Sequence, residues 1–408
     1  MSEDERRLTT REAAQILGVK PATVYAYVSR GQLGSRRDAV GRGSTFDARE
    51  VEALARRSRR EAVAPPGELS VRTSLTLIED DRYYFRGVDA VELAARYPYE
   101  EVAEWLWTGS LPRGARFTAP PEALAAARRA VAALPEHSGP LDRLRVAVAA
   151  AAVVDPLRFD LSEEAVLGSA RCLIPTLVGA LPGAEAAPAP EGDRRLARAL
   201  WPRLTGHQPD PAAVNALDLA LALLVDHDLA ASTLAVRVAA SARAHPYAVV
   251  SAGLGALEGP LHGAAGRLAH RMLAEVLERD GAAPVVAEHL RAGRRVPGLG
   301  HRLYRGEDPR ARALFAHLEG LPGAAPALGA ARDVAAVTAR HGLHPNVDLA
   351  LAVLTVSCGM TAEAGETVFA VARTAGWIAH ALEEYQERPL RMRPSGHYTG
   401  ARPPRPLP

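Results

Sequence analysis

"LEGPLHGAAG" (Leu257–Gly266) and "VPGLGHRLYRGEDPRA" (Val296–Ala311) each set one histidine, His262 and His301, among glycines and a proline in a chain otherwise patterned for helices. Glycine and proline interrupt helices and let backbone come close to a ligand. Either histidine alone reads more often as a satisfied structural side chain than as a chemical one. Outward from these loops, residues 88 to 390 run as amphipathic or nearly all-apolar segments. Examples are "EALAAARRAVAAL" (122–134), "LDRLRVAVAAAAVV" (141–154) and "AVNALDLALALLVDHDLAASTLAVRVAASA" (213–242). Such segments are deep core or a dimer interface, and they predict a mainly α fold with no solenoid repeat. Composition marks residues 179–192 and 320–330 as loops. The stretch "SVRTSLTLIEDDRYYFRG" (Ser70–Gly87) alternates about a turn at Glu79–Arg82 and predicts one β-hairpin.

The chain has 408 residues, which suggests a large core plus a smaller unit, and 48% hydrophobic with 24% charged residues is a globular composition. Cys172 and Cys358 are far apart, so neither a disulfide framework nor a cysteine zinc site is indicated, and a reducing cytoplasm fits. The start, "MSEDERRLTT", has no apolar signal core, and no segment reaches the roughly 18 apolar residues of a membrane span. A soluble protein with no membrane partner is expected. Lys20 is the only lysine, which removes a Schiff-base lysine and a Walker-type phosphate loop from the body of the chain.

Residues 8–33 read as two short helices around a tight turn. Thr10 is the expected cap of the first and Gly18 its end, while Pro21 opens the second; Val24 and Val28 face inward, Thr23 and Tyr25 outward. A polar hairpin with Arg36, Arg37 and Arg42 follows, then a helix from Asp47. Net charge is only +2, yet residues 20–60 carry ten Lys/Arg against four acids, a local excess of six. This order resembles the winged helix-turn-helix of MerR/excisionase type over about residues 6–58. The resemblance implies DNA as a partner, with a helix in the major groove and an arginine wing on phosphates. A small module for protein contacts fits the same residues. Residues 59–68, basic and then proline-containing, are the expected linker between a 1–58 unit and a 69–408 region.

Four polar clusters interrupt the apolar helices: "DHDLAAST" (Asp226–Thr233), the two histidine loops, and "HPNVDLALAVL" (His344–Leu354). Polar groups in such surroundings need partners or a ligand. Asp348 alone reads as a helix cap. Two imidazoles and a carboxylate could hold a metal, but the histidines stand 39 residues apart in loops rather than one helical turn apart, so no metal is expected. The same set can also abstract a proton beside a carbonyl: a base takes the C–H proton, one donor stabilises the enolate-like oxygen, and another polarises the electrophile.

"GALEGPLHGAA", "PGLGHRLYRGEDPRA", "HPNVDLALAVL", "ARTAGWIAHALEE" and "RMRPSGHYTG" resemble, in order, the signatures of the citrate synthase family, over about residues 69–401. The resemblance implies large and small helical domains, the small one inserted at about 258–365. It implies Asp348 as the base on acetyl-CoA, His262 as donor to the thioester oxygen, and His301 as activator of the oxaloacetate ketone. His227, Arg310, Arg373 and Arg393 would bind the dicarboxylate, Arg393 in the neighbouring subunit's site, so that a homodimer belongs to the mechanism. Coenzyme A would lie along Val296, Pro297, Gly298, Leu299 and Gly300. Coenzyme A esters enter as substrates, and no metal or redox cofactor is implied.

Three positions depart from the family pattern: Gly266 where Asn is usual, and Asp228 and Ala230 where Glu and Asn are usual. Two readings follow. One is a synthase condensing an acyl-CoA with oxaloacetate to citrate or 2-methylcitrate. The other is a DNA-binding regulator whose citrate-synthase-like region senses a CoA ester or oxoacid. Acetyl-CoA and propionyl-CoA differ by one methylene, which residue types alone do not resolve.

Overall fold

Asp80 and Asp81 both adopt positive φ (52° and 55°), the mirror-image turn geometry that matches the twist of a two-residue hairpin. They join β4 (Thr76–Glu79) to β5 (Arg82–Phe85) in antiparallel register, Glu79 opposite Arg82. The expected hairpin carries a third strand: Val88–Asp89 (β6) pairs back on β5. Asp89 then accepts from Val91 N and Glu92 N and so caps the following helix.

The computed structural model describes residues 7–17, 19–29, 33–37, 44–51, 54, 71–183, 195–259, 262–279 and 281–400. Gly18, Arg42, the 59–68 linker, residues 184–192 and the tail from 401 lie outside the described residues. The chain divides into two compact units, Met1–Arg72 and Thr73–Pro408.

In the first unit, β1 (Arg7–Thr9), α1 (Thr10–Leu17), α2 (Pro21–Ser29), β2 (Arg36–Arg37) and β3 (Ser44–Asp47) form two helices and an antiparallel sheet of order β1-β3-β2. The cap of α1 is Thr9, not Thr10. Glu12 N donates to Thr9 Oγ1 at 3.3 Å while the Glu12 carboxylate accepts from Thr9 N at 2.7 Å, a reciprocal capping box. Thr10 instead donates to Ser44 O and lies 3.2 Å from the Tyr25 hydroxyl. Leu8, Ala13, Val24, Phe46 and Val51 make the core. Tyr25 is exposed as expected, whereas Thr23 is half-buried.

The second unit is helical: α3 (Ala90–Arg96), α4 (Tyr99–Thr108), α5 (Pro121–Ala132), α6 (Pro140–Val153), α7 (Glu163–Ala180), α8 (Leu196–Leu204), α9 (Pro211–Leu224), α10 (Ala231–Ser241) and α11 (Pro246–Leu257). There follow α12 (Ala264–Glu278), α13 (Ala282–Arg291), α14 (Pro309–Leu318), α15 (Ala325–Thr338), α16 (Val347–Ser357) and α17 (Ala364–Gln386). Helices α5, α6, α9, α11 and α14 start on proline, whose missing N–H costs nothing at that position. Helix α17 is the hub, buried almost end to end and packed by α4, α7, α9, α10, α11 and α12. Helices α12 to α16 also pack among themselves, with α12 laid along α16.

Two expectations are corrected. The 213–242 run is not continuous: it breaks after Leu224, and Asp228 takes a positive φ of 56° before α10 begins. The 320–330 loop is helical from Ala325, because Pro326 fits a first turn and the alanines around it favour helix.

Candidate active site

The five residues Val296–Gly300 form a loop strapped to the turn that starts α16. Gly300 N donates to His344 O (2.7 Å), Asn346 N to Gly298 O (3.0 Å) and Asn346 Nδ2 to Gly300 O (2.9 Å), while Leu299 bridges Pro345. Gly298 and Gly300 sit at φ 75° and 77°, and a Cβ on Gly298 would stand 2.8 Å from Leu349 Cβ. Val296 and Gly298 are buried, and Pro297, Leu299 and Gly300 are half-buried.

Asn346, not Asp348, caps α16, accepting from Asp348 N at 3.0 Å. With capping taken over by its neighbour, the Asp348 carboxylate accepts no hydrogen bond from the described residues. Burial pushes its carboxyl up to about 6, against the pull of the Arg310 guanidinium and with added repulsion from Asp308. A carboxylate poised there is a stronger base than a surface aspartate and is still ionised at neutral pH.

His301 follows the strapped loop directly. Leu303 N donates to its Nδ1 (3.1 Å), and Arg310 Nη2, which can only donate, lies 3.4 Å from its Nε2. Burial and Arg310 bring this histidine down to about 4, which keeps it neutral. Arg310, itself buried, is gripped by Asp308 through Nε (3.0 Å) and Nη2 (2.7 Å), and Asp308 also accepts from Val347 N (3.1 Å). One carboxylate thus holds both the arginine and the start of the Asp348 helix. His227 packs edge-on to His301 at 5.1 Å and shares a 2.6 Å hydrogen bond with Tyr304. Burial, Arg310, Arg373 and His301 all depress it, so it too is neutral. The β4–β5 tip reaches this loop: Asp81 accepts from Arg305 N (2.8 Å) and Gly306 N (3.2 Å).

His262 lies just before α12, its Nε2 2.8 Å from Ser232 Oγ at the start of α10. Trp377 Nε1 donates to the same hydroxyl at 3.4 Å, so the serine links the tryptophan and the imidazole. Burial and Arg373 bring His262 down to about 4. Arg373 stacks over Phe369 at 4.6 Å, and the Phe369 ring meets His262 edge-on at 5.9 Å. Its Nε donates to Leu224 O, but its Nη2 is buried with no hydrogen-bond partner. A buried guanidinium N–H in that condition is a seat for a carboxylate.

Of the residues singled out in the sequence, His227, His301, Arg310 and Asp348 converge around the strapped loop. His262 and Arg373 both meet the Phe369 ring, and Arg373 Nε donates to Leu224 O, three residues before His227. Arg393 is not drawn in: it is exposed beyond α17, its backbone N bonded to Leu390 O. In the first unit Arg36 is exposed, and Arg37 pairs with Ser44 through backbone. Tyr304, Asn346, Asp308 and Phe369 are not among the expected site residues, and Ser232 is expected only as a polar group in need of a partner or ligand. Only Asp308, one proline away from Arg310, carried a local sign of its role. Among the described residues no group of three His, Cys, Asp or Glu is placed to hold a metal. No helix of these residues is long and apolar enough to cross a membrane.

A raised carboxylate, two neutral imidazoles and buried arginines define a site for carbon-acid chemistry on anionic substrates. The model of the C-terminal domain of citrate synthase matches residues 66–395, and a helix-turn-helix domain model matches residues 7–59. The chain is 31% identical to citrate synthase 2 of Bacillus subtilis over 353 residues, covering 82% of this chain and 94% of that protein. It is 28% identical to 2-methylcitrate synthase of Mycobacterium tuberculosis over 342 residues, covering 78% and 84%. The crystal structure of citrate synthase from Thermotoga maritima superposes with a TM-score of 0.65 at 26% identity, over 84% of this chain and 96% of that one. The chain therefore belongs to the citrate synthase family, with a helix-turn-helix domain ahead of the catalytic region, and its chemistry is a citrate-synthase-type condensation.

Proposed function

We propose that the protein condenses an acyl-CoA with oxaloacetate and hydrolyses the resulting acyl-CoA thioester. Asp348 takes a proton from the acyl α-carbon while His262 donates to the thioester oxygen. The enol carbon then bonds to the ketone carbon of oxaloacetate, whose oxygen receives a proton from His301. Water attacks the thioester and the coenzyme A thiol leaves. Arg310, Arg373 and His227 hold the oxoacid carboxylates, and Arg393 of a second copy completes the site in a homodimer. Coenzyme A runs along Val296–Gly300, whose glycines leave the backbone open. The observation that carries this reading is Asp348: a capped helix start that leaves its carboxylate without a hydrogen bond from the described residues and raised to about 6, in a region whose two loop imidazoles are kept neutral by burial and arginines.

Purified protein given oxaloacetate with acetyl-CoA or propionyl-CoA is expected to release coenzyme A thiol, and Asp348→Ala to abolish the release. No release with either ester across a range of pH overturns the proposal. The intact set of base, donors and arginines favours catalysis over a purely sensory role. For the first unit we propose DNA binding through exposed Tyr25 and Arg36, together with Thr23 and the sequence candidates Arg37 and Arg42. Salt-sensitive retardation of the operon's promoter fragment by the full-length protein is expected, and its absence refutes DNA binding.

A further inference from the structure

Helix α17 is buried almost end to end, yet one stripe of it is polar: Arg373, Trp377, His380 and Glu384, each three or four residues from the next. Arg373 and Trp377 serve the site already described, and His380 and Glu384 have no part in it. A fully buried imidazole costs free energy unless its nitrogens are satisfied, so its partners show what it is for. Arg237 on α10, also fully buried, donates from Nε to His380 Nδ1 (3.1 Å), while its Nη1 and Nη2 bond Glu384 and Glu383. A guanidinium can only donate, so His380 Nδ1 accepts and the ring proton sits on Nε2. That nitrogen stands 3.3 Å from Asp226 Oδ2, a carboxylate oxygen that also accepts from Thr76 Oγ1 on β4. Burial raises the Asp226 carboxyl, but His380, Arg373 and Thr76 hold it below its ordinary value, so it stays an acceptor.

Asp226 lies in the turn between α9 and α10. Leu224 O, two residues before it, accepts from Arg373 Nε, and His227 follows it directly. The turn lies flush on α17: a Cβ on Gly376 would stand 2.3 Å from Val225 O and 2.8 Å from Asp226 Oδ1. It has little of its own to hold it, since α10 begins without a side-chain cap and Asp228 takes a positive φ. The Asp226 carboxylate is its anchor to α17 and β4.

We propose that His380 is a positioning residue for oxoacid binding: its Nε2–H, directed by Arg237, holds the Asp226 carboxylate and with it the turn that sets His227 and the Leu224 carbonyl bonded to Arg373. The inference rests on the reading of His227 and Arg373 as oxoacid ligands. His380 acts through Asp226 rather than on the substrate.

The test measures oxaloacetate affinity by isothermal titration calorimetry, and KM for oxaloacetate and acetyl-CoA by steady-state kinetics. The proteins compared are the wild type, His380→Phe, His380→Gln, Thr76→Val and His227→Ala. Loss of a hydrogen bond to a charged group should make His380→Phe bind oxaloacetate about tenfold more weakly, with the KM for acetyl-CoA changed less than about twofold. His380→Gln keeps an N–H donor and an acceptor, and should stay within about threefold of the wild type. Thr76→Val removes the other donor to the same carboxylate from a different element, and should weaken oxaloacetate alone. A folded His380→Phe with unchanged oxaloacetate affinity, equal losses in His380→Phe and His380→Gln, or a matching rise in both KM values overturns the inference. If His380→Phe does not fold, Thr76→Val decides, and unchanged oxaloacetate affinity there overturns it. His227→Ala that binds oxaloacetate as the wild type does overturns the ligand assignment beneath the inference. Oxaloacetate binding without thiol release removes the condensation and leaves the inference standing on its affinities.

Discussion

Asp348→Asn should make the protein more stable and catalytically dead, with a gain that depends on pH. Burial holds the folded-state carboxyl near 6 rather than its ordinary 3.8, so an ionised Asp348 opposes folding by about 3 kcal/mol. The sign follows from linkage. The carboxyl is raised on folding, so its contribution is most favourable below the unfolded value, declines as pH rises toward 6, and is lost above it. The amide pays no such penalty at any pH. Urea denaturation at about pH 8 should therefore show Asp348→Asn more stable than the wild type by up to ~3 kcal/mol, and the gap should shrink to ~0.5 kcal/mol at about pH 4. In the same range kcat/KM of the wild type, followed by loss of thioester absorbance, should climb through about pH 6 with unit slope. Asp348→Asn should lose at least ~10²–10⁴ in rate. Equal stability of the two proteins at high pH, or a flat rate profile between about pH 5 and 7, would refute the argument.

Ser232→Ala removes the hydroxyl bonded to His262 Nε2 at 2.8 Å; kcat should fall about 5- to 100-fold with little change in KM for oxaloacetate, as steady-state kinetics will show. Asp308→Ala strands the buried Arg310 and frees Val347 N, and should cost ~3–5 kcal/mol in denaturant unfolding. Gly298→Ala forces a Cβ to within 2.8 Å of Leu349 at positive φ, so the melting temperature should drop and the KM for acyl-CoA rise.

The histidine loops, the Pro-Asn turn and the helical region are legible because glycine and proline mark interruptions that apolar periodicity then frames. What escaped the sequence was mostly arrangement across long separations. Ser232 meets His262 from 30 residues away, and Asp81 reaches Gly306 from 225. Local errors had local causes. Thr9 and Thr10 are adjacent candidate caps, and only the Glu12 contact decides for Thr9. Asn346 and Asp348 are both good cap residues, and the cap going to the first is what leaves the second free. The three-residue β1 is too short for alternation to register, and the glycine-proline content around 320–330 concealed alanines that propagate a helix.

On the proposed roles of His301 and Asp348, the three hydrogen bonds that strap Val296–Gly300 to the His344–Asp348 turn also gear two chemical events together. His301 and Asp348 lie at opposite ends of one fastened element, so the distance between ketone activation and proton removal is set when the chain folds. His262 is tied elsewhere, to Ser232 on α10. The adjustable spacing in this site is thus the one between enol stabilisation and the other two events, and a change in reaction outcome would come from shifting α10 rather than from editing the strap.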